Sequence, residues 1–127
     1  MKPILKLKRN HLKIKKEWFK KLVRARNSRL IVAEVDGQLA GYAILQVKKT
    51  APVFAVEEYG YFGDIYVKPM FRGKGVSTAL FQAGRRWFRE KGLKWIAIDV
   101  HWGNTRAREI YQHWGFFPRN LEMWRKV

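Results

Sequence analysis

Residues 59–100 constrain the fold more than any other stretch, because they spell strand, glycine turn, amphipathic helix, strand. Tyr59 to Val67 reads as a strand with Tyr61, Ile65 and Val67 on one face, and Pro69 ends it. Val76, Ala79, Leu80, Ala83, Gly84, Trp87 and Phe88 then fall on one helical face. Arg89 and Lys91 occupy the last turn, and Gly92 is a C-terminal stop. Lys94 to Val100 has the look of a short buried strand. Two strands joined by a helix in this way pair in parallel through a right-handed crossover.

The flanking sequence fixes the sheet type. Leu30–Val35 and Leu39–Val47 are β-rich and separated by Asp36-Gly37, a two-residue hairpin signal. Antiparallel pairing therefore joins the parallel pairing, which predicts a mixed α/β sheet. Residues 48–58 form a loop holding Pro52. Before the hairpin, Leu12, Trp18, Phe19, Leu22 and Val23 predict a helix over 11–26 with a basic opposite face. After the crossover, Asn104 is a helix N-cap candidate, and Ala107, Ile110, Tyr111 and Trp114 repeat at helical spacing before Gly115. Residues 116–126 read as one or two closing strands broken at Pro118. No repeat or linker divides the chain, so one domain over 1–127 is expected.

Composition excludes several chemistries. The 127 residues include no cysteine, which removes disulfides, thiolate nucleophiles and Cys-ligated zinc. His11, His101 and His113 lack metal-ligand spacing, so no metal site is predicted. No apolar run approaches the roughly 20 residues needed to span a bilayer, and the basic start lacks a signal-peptide core. A soluble cytoplasmic protein is the expectation. Twenty-seven Lys and Arg against ten Asp and Glu give a net charge of +17. Twelve of those cations and a single acid, Glu17, fall in the first 29 residues. Such a field draws in polyanions, nucleic acid among them; a solvated basic surface explains it equally well.

The turn between strand and helix, Arg72-Gly73-Lys74-Gly75-Val76-Ser77, has the makings of an anion site. The first N–H groups of a helix lack internal partners and carry the positive end of its dipole. Glycines allow a phosphate to approach those amides closely. The spacing does not fit G-x-x-x-x-G-K-[ST]. It fits G-x-G-x-x-G only in its first half, because position 78 is Thr.

These residues resemble the GNAT superfamily of N-acetyltransferases. Arg72-x-x-Gly75-x-Ser77 matches that family's [Q/R]-x-x-G-x-[G/A] signature except at Ser77, which replaces Gly or Ala. Asn104-x-x-Ala107-x-x-x-Tyr111-x-x-x-Gly115-Phe116 matches its second signature at every place. The resemblance covers about residues 30–117, and an N-terminal part shortened against the family's pattern is expected. It implies a mixed, mostly antiparallel sheet with helices on both faces, and acetyl-CoA as donor. It further implies that the strand after the helix splays away from Val67 to admit the cofactor. The amides of Gly73 to Ser77, with Arg72 and Lys74, would then hold the pyrophosphate. The backbone of Ile65, Tyr66 and Val67 would meet the pantetheine arm, although a plain core strand also explains those residues. Tyr111 would protonate the leaving thiolate; its helical face also suits a buried core tyrosine. Asn104 would contact cofactor or serve only as N-cap.

For the base, Asp64, Glu58 and Glu57 lie on or before the central strand. Equal parity places Asp64 and Glu58 on one face. Asp99 and His101 near the end of the opposing strand are further candidates. The resulting reading is direct acetyl transfer to a primary amine of a protein N-terminus, a lysine or a small molecule, by a monomer or homodimer. A non-catalytic acyl-CoA sensor and a basic nucleic-acid or ribosome-binding module on the same fold are the alternatives.

Overall fold

The computed structural model describes residues 27–51 and 55–127. The helix expected over 11–26 lies outside them. Four strands, β1 (Ser28–Val35), β2 (Gln38–Lys49), β3 (Glu58–Val67) and β4 (Ile96–Ile98), form one sheet in the order β1-β2-β3-β4. Asp36 (φ +52°) and Gly37 (φ +77°) make the tight turn between β1 and β2. β1 and β2 pair antiparallel, as do β2 and β3, while β3 and β4 pair parallel. Helix α1 (Val76–Glu90) makes the crossover, and α2 (Thr105–His113) follows β4. No helix among the described residues is long and apolar enough to cross a membrane.

The core lies where α1 crosses the sheet. Val76, Leu80, Phe81 and Phe88 of α1 pack with Ala40, Ala43 and Leu45 of β2 and Phe62 of β3. Two glycines set how closely the layers approach. A Cβ on Gly60 would stand 2.6 Å from the Phe88 ring, and one on Gly84 would stand 2.6 Å from the Phe62 ring. Each glycine is thus the seat for the other layer's phenylalanine, and the two rings meet edge to face at 5.4 Å. Trp114, just past α2, stacks on Phe81 with centroids 4.5 Å apart and planes 3° from parallel, which fastens the end of α2 to α1.

Three sequence expectations need correction. First, Ile44 pairs with Asp64 but the next residue, Leu45, pairs with Phe62, so Gly63 is an extra residue in β3. Such a bulge reverses the side-chain alternation beyond it. Ile65 and Val67 therefore pack against the same core as Phe62, whereas Tyr61 lies on the other face. For the same reason Asp64 and Glu58 do not share a face. Second, the strand expected over 94–100 is paired only from Ile96 to Ile98. Third, residues 116–127 form no strand. A closing strand needs a partner edge, and three residues of β4 offer few ladder hydrogen bonds. Phe117, Leu121, Met123 and Trp124 are exposed as a result.

The fit of Gly84 against Phe62 leads to a stability prediction. Gly84→Val drives branched carbons into a fully packed site and is expected to destabilise the fold by about 2 kcal/mol, read as a lower urea midpoint. An unchanged midpoint would show that the two layers can separate freely.

Candidate active site

The loop after β3 is built to hold its backbone outward. Pro69–Phe71 forms a single 3-10 turn, and buried Phe71 anchors it. Arg72 Nε donates to the Val67 carbonyl at 3.1 Å, tying the loop to the end of β3. Gly73 (φ +76°) and Gly75 (φ +80°) are left-handed, a conformation costly for other residues. A Cβ on either would meet nothing within 4 Å, so open space lies beside the loop. Gly75 is the N-cap of α1, and its carbonyl takes the first helical bond, from the Ala79 N–H at 3.0 Å. The N–H groups of Val76, Ser77 and Thr78 precede that bond and have no acceptor within the helix. No acid sits in the first turn to compete for them. The Val76 side chain is buried in the core, so only its amide can serve the site.

Beside this loop the sheet opens. Gly60↔Ile96, Tyr61↔Ala97 and Phe62↔Ile98 are the β3–β4 partners, and pairing stops there. β3 runs on through the Gly63 bulge to Val67 with β2 alone beside it. Just past the last pair, Tyr61 Oη donates to Asp99 Oδ2 at 2.6 Å, and Lys48 Nζ sits 3.7 Å from the Tyr61 ring centre. Burial, then the hydrogen bond and charge of Asp99, raise the Tyr61 pKa far above the ordinary phenol value.

Tyr111, on α2, is half-buried against Trp114 (5.5 Å) and Phe116 (6.3 Å). Its pKa is raised first by burial and then by the negative charge of Asp64. The phenol therefore stays protonated at neutral pH and keeps an O–H to donate. Asp64 accepts a hydrogen bond from Tyr42 Oη at 2.9 Å. Asn104 caps α2, its Oδ1 accepting from the Ala107 N–H at 3.1 Å.

The structure thus groups Tyr111 and Asp64 electrostatically and sets the Gly73–Ser77 amides beyond Ile65, Tyr66 and Val67. Glu58 stands apart. It opens β3, six residues before Asp64, exposed and in register with Lys49. Glu57 is exposed one residue earlier. His101 is exposed, with its Nδ1 accepting from the Gly103 N–H at 3.1 Å. The Tyr61–Asp99 and Tyr42–Asp64 links escaped the sequence reading, since both depend on strand register across 38 and 22 residues.

The profile of the Acetyltransferase (GNAT) family matches residues 5–116, and the chain belongs to that family. An uncharacterised N-acetyltransferase of Archaeoglobus fulgidus is 28 % identical over 96 residues, covering 76 % of this chain and 65 % of that protein. An aminoglycoside N(6')-acetyltransferase type 1 of Salmonella typhimurium is 30 % identical over 92 residues, covering 67 % of this chain and 59 % of that protein. The chain thus spans somewhat less than two thirds of the length of these relatives. The solved structure of AAC(6')-Iy with the bisubstrate analogue CoA-S-monomethyl-acetylneamine superimposes with a TM-score of 0.74 at 26 % identity, covering 92 % of this chain and 78 % of that one.

The two raised phenols make alkaline stability a test of the site. In the unfolded chain a tyrosine ionises near its ordinary value of about 10, whereas folded Tyr61 and Tyr111 resist ionisation. Their contribution is fully present below that pH and is lost as pH rises beyond it. Tyr111→Phe is expected to flatten the fall in unfolding free energy above about pH 10, measured by urea titrations at increasing pH. An identical pH dependence in the variant would mean that Tyr111 is not buried as described.

Proposed function

We propose that the chain is an acetyl-CoA-dependent N-acetyltransferase that moves the acetyl group directly to a primary amine. The observation that carries this reading is a single continuous feature: β3 loses its β4 partner after Phe62 and leads into the amides of Gly73 to Ser77. Acetyl-CoA fits that feature in two chemical respects. Its pyrophosphate suits free N–H groups at a helix start flanked by Arg72 and Lys74. Its pantetheine amides suit a strand edge whose own hydrogen-bonding groups lack a neighbour. Ile65 and the Val67 N–H supply that edge, because alternate residues of β3 turn their backbone away from β2; the Val67 carbonyl is already taken by Arg72, and Tyr66 turns its carbonyl toward β2 at Gly41.

The remaining roles follow from proton accounting. An ammonium must lose one proton before its lone pair can attack the thioester carbonyl. A second proton leaves the nitrogen as the amide forms, and the departing thiolate needs stabilisation. Asp64 is the group we assign to accept from the amine, directly or through water. Glu58 is excluded from that role by its position at the far end of β3. Tyr111 donates a hydrogen bond to the developing thiolate. Because its pKa lies above that of an ordinary thiol, full transfer from phenol to thiolate is uphill, and stabilisation by the hydrogen bond is its main contribution. Asn104 acts through the start of α2, which it caps. The chain has no cysteine to carry the acetyl group, so transfer is direct. Orientation of the two reactants supplies much of the rate without a strong base. Acetyl-CoA is an intracellular metabolite, which makes the cytoplasm the compartment we infer.

Thiol release from acetyl-CoA with a panel of amines and peptides tests this reading. Tyr111→Phe is expected to lower kcat by about 10²-fold with little change in the acetyl-CoA KM. Gly75→Ala, which forces a Cβ into left-handed backbone at about 1–2 kcal/mol, should instead raise the acetyl-CoA KM. Cofactor binding without turnover on any acceptor would favour an acyl-CoA sensor. No cofactor binding at all would sink the proposal.

A further inference from the structure

We propose that the solvent face of α1 is a docking surface for the phosphate backbone of a nucleic acid, separate from the acetyl-transfer site. Gln82, Arg85, Arg86 and Arg89 recur at i, i+3, i+4 and i+7 and together line one shallow concavity. All four are exposed. Arg85 and Arg89 also border an adjoining groove whose other walls are Phe88, Leu93, Lys94 and Ile96. The helix carries these three arginines against one acid, Glu90. Like charges a turn apart weaken a helix. Arg89 has a local compensation in the last turn, at the negative end of the dipole. Arg85 and Arg86 sit mid-helix, out of reach of that dipole end, and only Arg86 has an acid one turn on, Glu90. An anion across the face would remove their repulsion, and guanidinium forks match phosphate oxygens two at a time.

A second observation selects nucleic acid over an acidic protein. Next to Arg86 around the helix lies half-exposed Trp87, with the Arg29 guanidinium 5.9 Å from its ring centre and Lys91 Nζ at 4.9 Å. The basic face therefore continues onto β1 around an aromatic ring, the combination that holds a phosphate backbone while a base stacks. The surface is distinct from the cofactor loop. Arg85 lies ten residues along the helix from Gly75, about 15 Å, or nearly two Debye lengths in physiological salt. The net charge of +17 strengthens the encounter but does not by itself locate it.

The test uses the full chain with two fluorescent probes, a short oligouridylate and a mixed-sequence duplex DNA, titrated between about 50 and 200 mM salt. Binding that weakens steeply with salt is expected for the wild type. The variant Arg85→Gln/Arg86→Gln/Arg89→Gln should flatten the log–log salt slope for the oligouridylate by about 2. The control variant Lys49→Gln/Arg125→Gln/Lys126→Gln removes the same charge elsewhere and should leave the slope nearly unchanged. Equal flattening by both variants would overturn the proposal in favour of a diffuse field. So would the absence of wild-type binding, or competition by polyglutamate as effective as that by oligouridylate. Preference between the probes distinguishes single-stranded RNA from duplex as the source of the phosphates. Thermal unfolding checks that each variant is folded, so the outcome stands whether or not acetyl transfer is confirmed.

Discussion

Everything that sets this sheet apart follows from β3 and β4 staying together for only three residue pairs. A strand that loses its neighbour inside a fold leaves N–H and C=O groups that water or a ligand must satisfy. The Gly63 bulge lies immediately after the last pair, and a bulge bends and twists its strand. The Tyr61–Asp99 hydrogen bond is the last link between the two strands before they part. The opening is therefore a consequence of backbone geometry, with few side chains needed to create it. A slot of this kind favours a ligand that is itself amide-rich and narrow.

Helix α1 connects that opening to the rest of the core. Its first turn exposes the amides of the loop, and its buried face carries Val76, Leu80, Phe81, Gly84 and Phe88. Displacing the loop would mean displacing Val76 from the core. The stacked Phe81–Trp114 pair fastens the far end of α2 to the same helix, so Tyr111 moves with the loop that would bind the donor. Close-packed protein interiors deform little. The Tyr111 phenol and the amides of the loop are thereby held in one frame.

How much of this was legible in the sequence depended on whether the signal was local. The hairpin at Asp36-Gly37, the span of α1, the N-cap at Asn104 and the glycine turn all rest on contiguous residues, and each lies where local chemistry puts it. Family membership was legible too, from two short signatures about 30 residues apart. The failures were non-local. One additional residue at Gly63 reversed the parity that had joined Asp64 with Glu58, and nothing in the residue types marks a bulge except the glycine itself. Residues 116–126 read as one or two closing strands broken at Pro118, but a local reading does not reveal that β4 is too short to offer them an edge. Tyr61 and Asp99 were both noticed, yet only register could make them partners.

Charge, finally, must be treated by locality as well. A net +17 invites the picture of one field that attracts donors and repels cationic acceptors alike. At a Debye length of about 8 Å that picture fails for exposed groups. Arg72 and Lys74 act at the loop, whereas Arg85, Arg86 and Arg89 lie more than a screening length away along α1. On the other face of β3, Tyr42 and Tyr61 donate to Asp64 and Asp99, and the charge of Asp64 also reaches Tyr111. The charges near that side include these carboxylates and Lys48, whereas the arginines of α1 act there only through screened solvent. Over these distances salt divides a strongly basic surface into independent sites, so net charge alone does not decide which ligand any one of them would take.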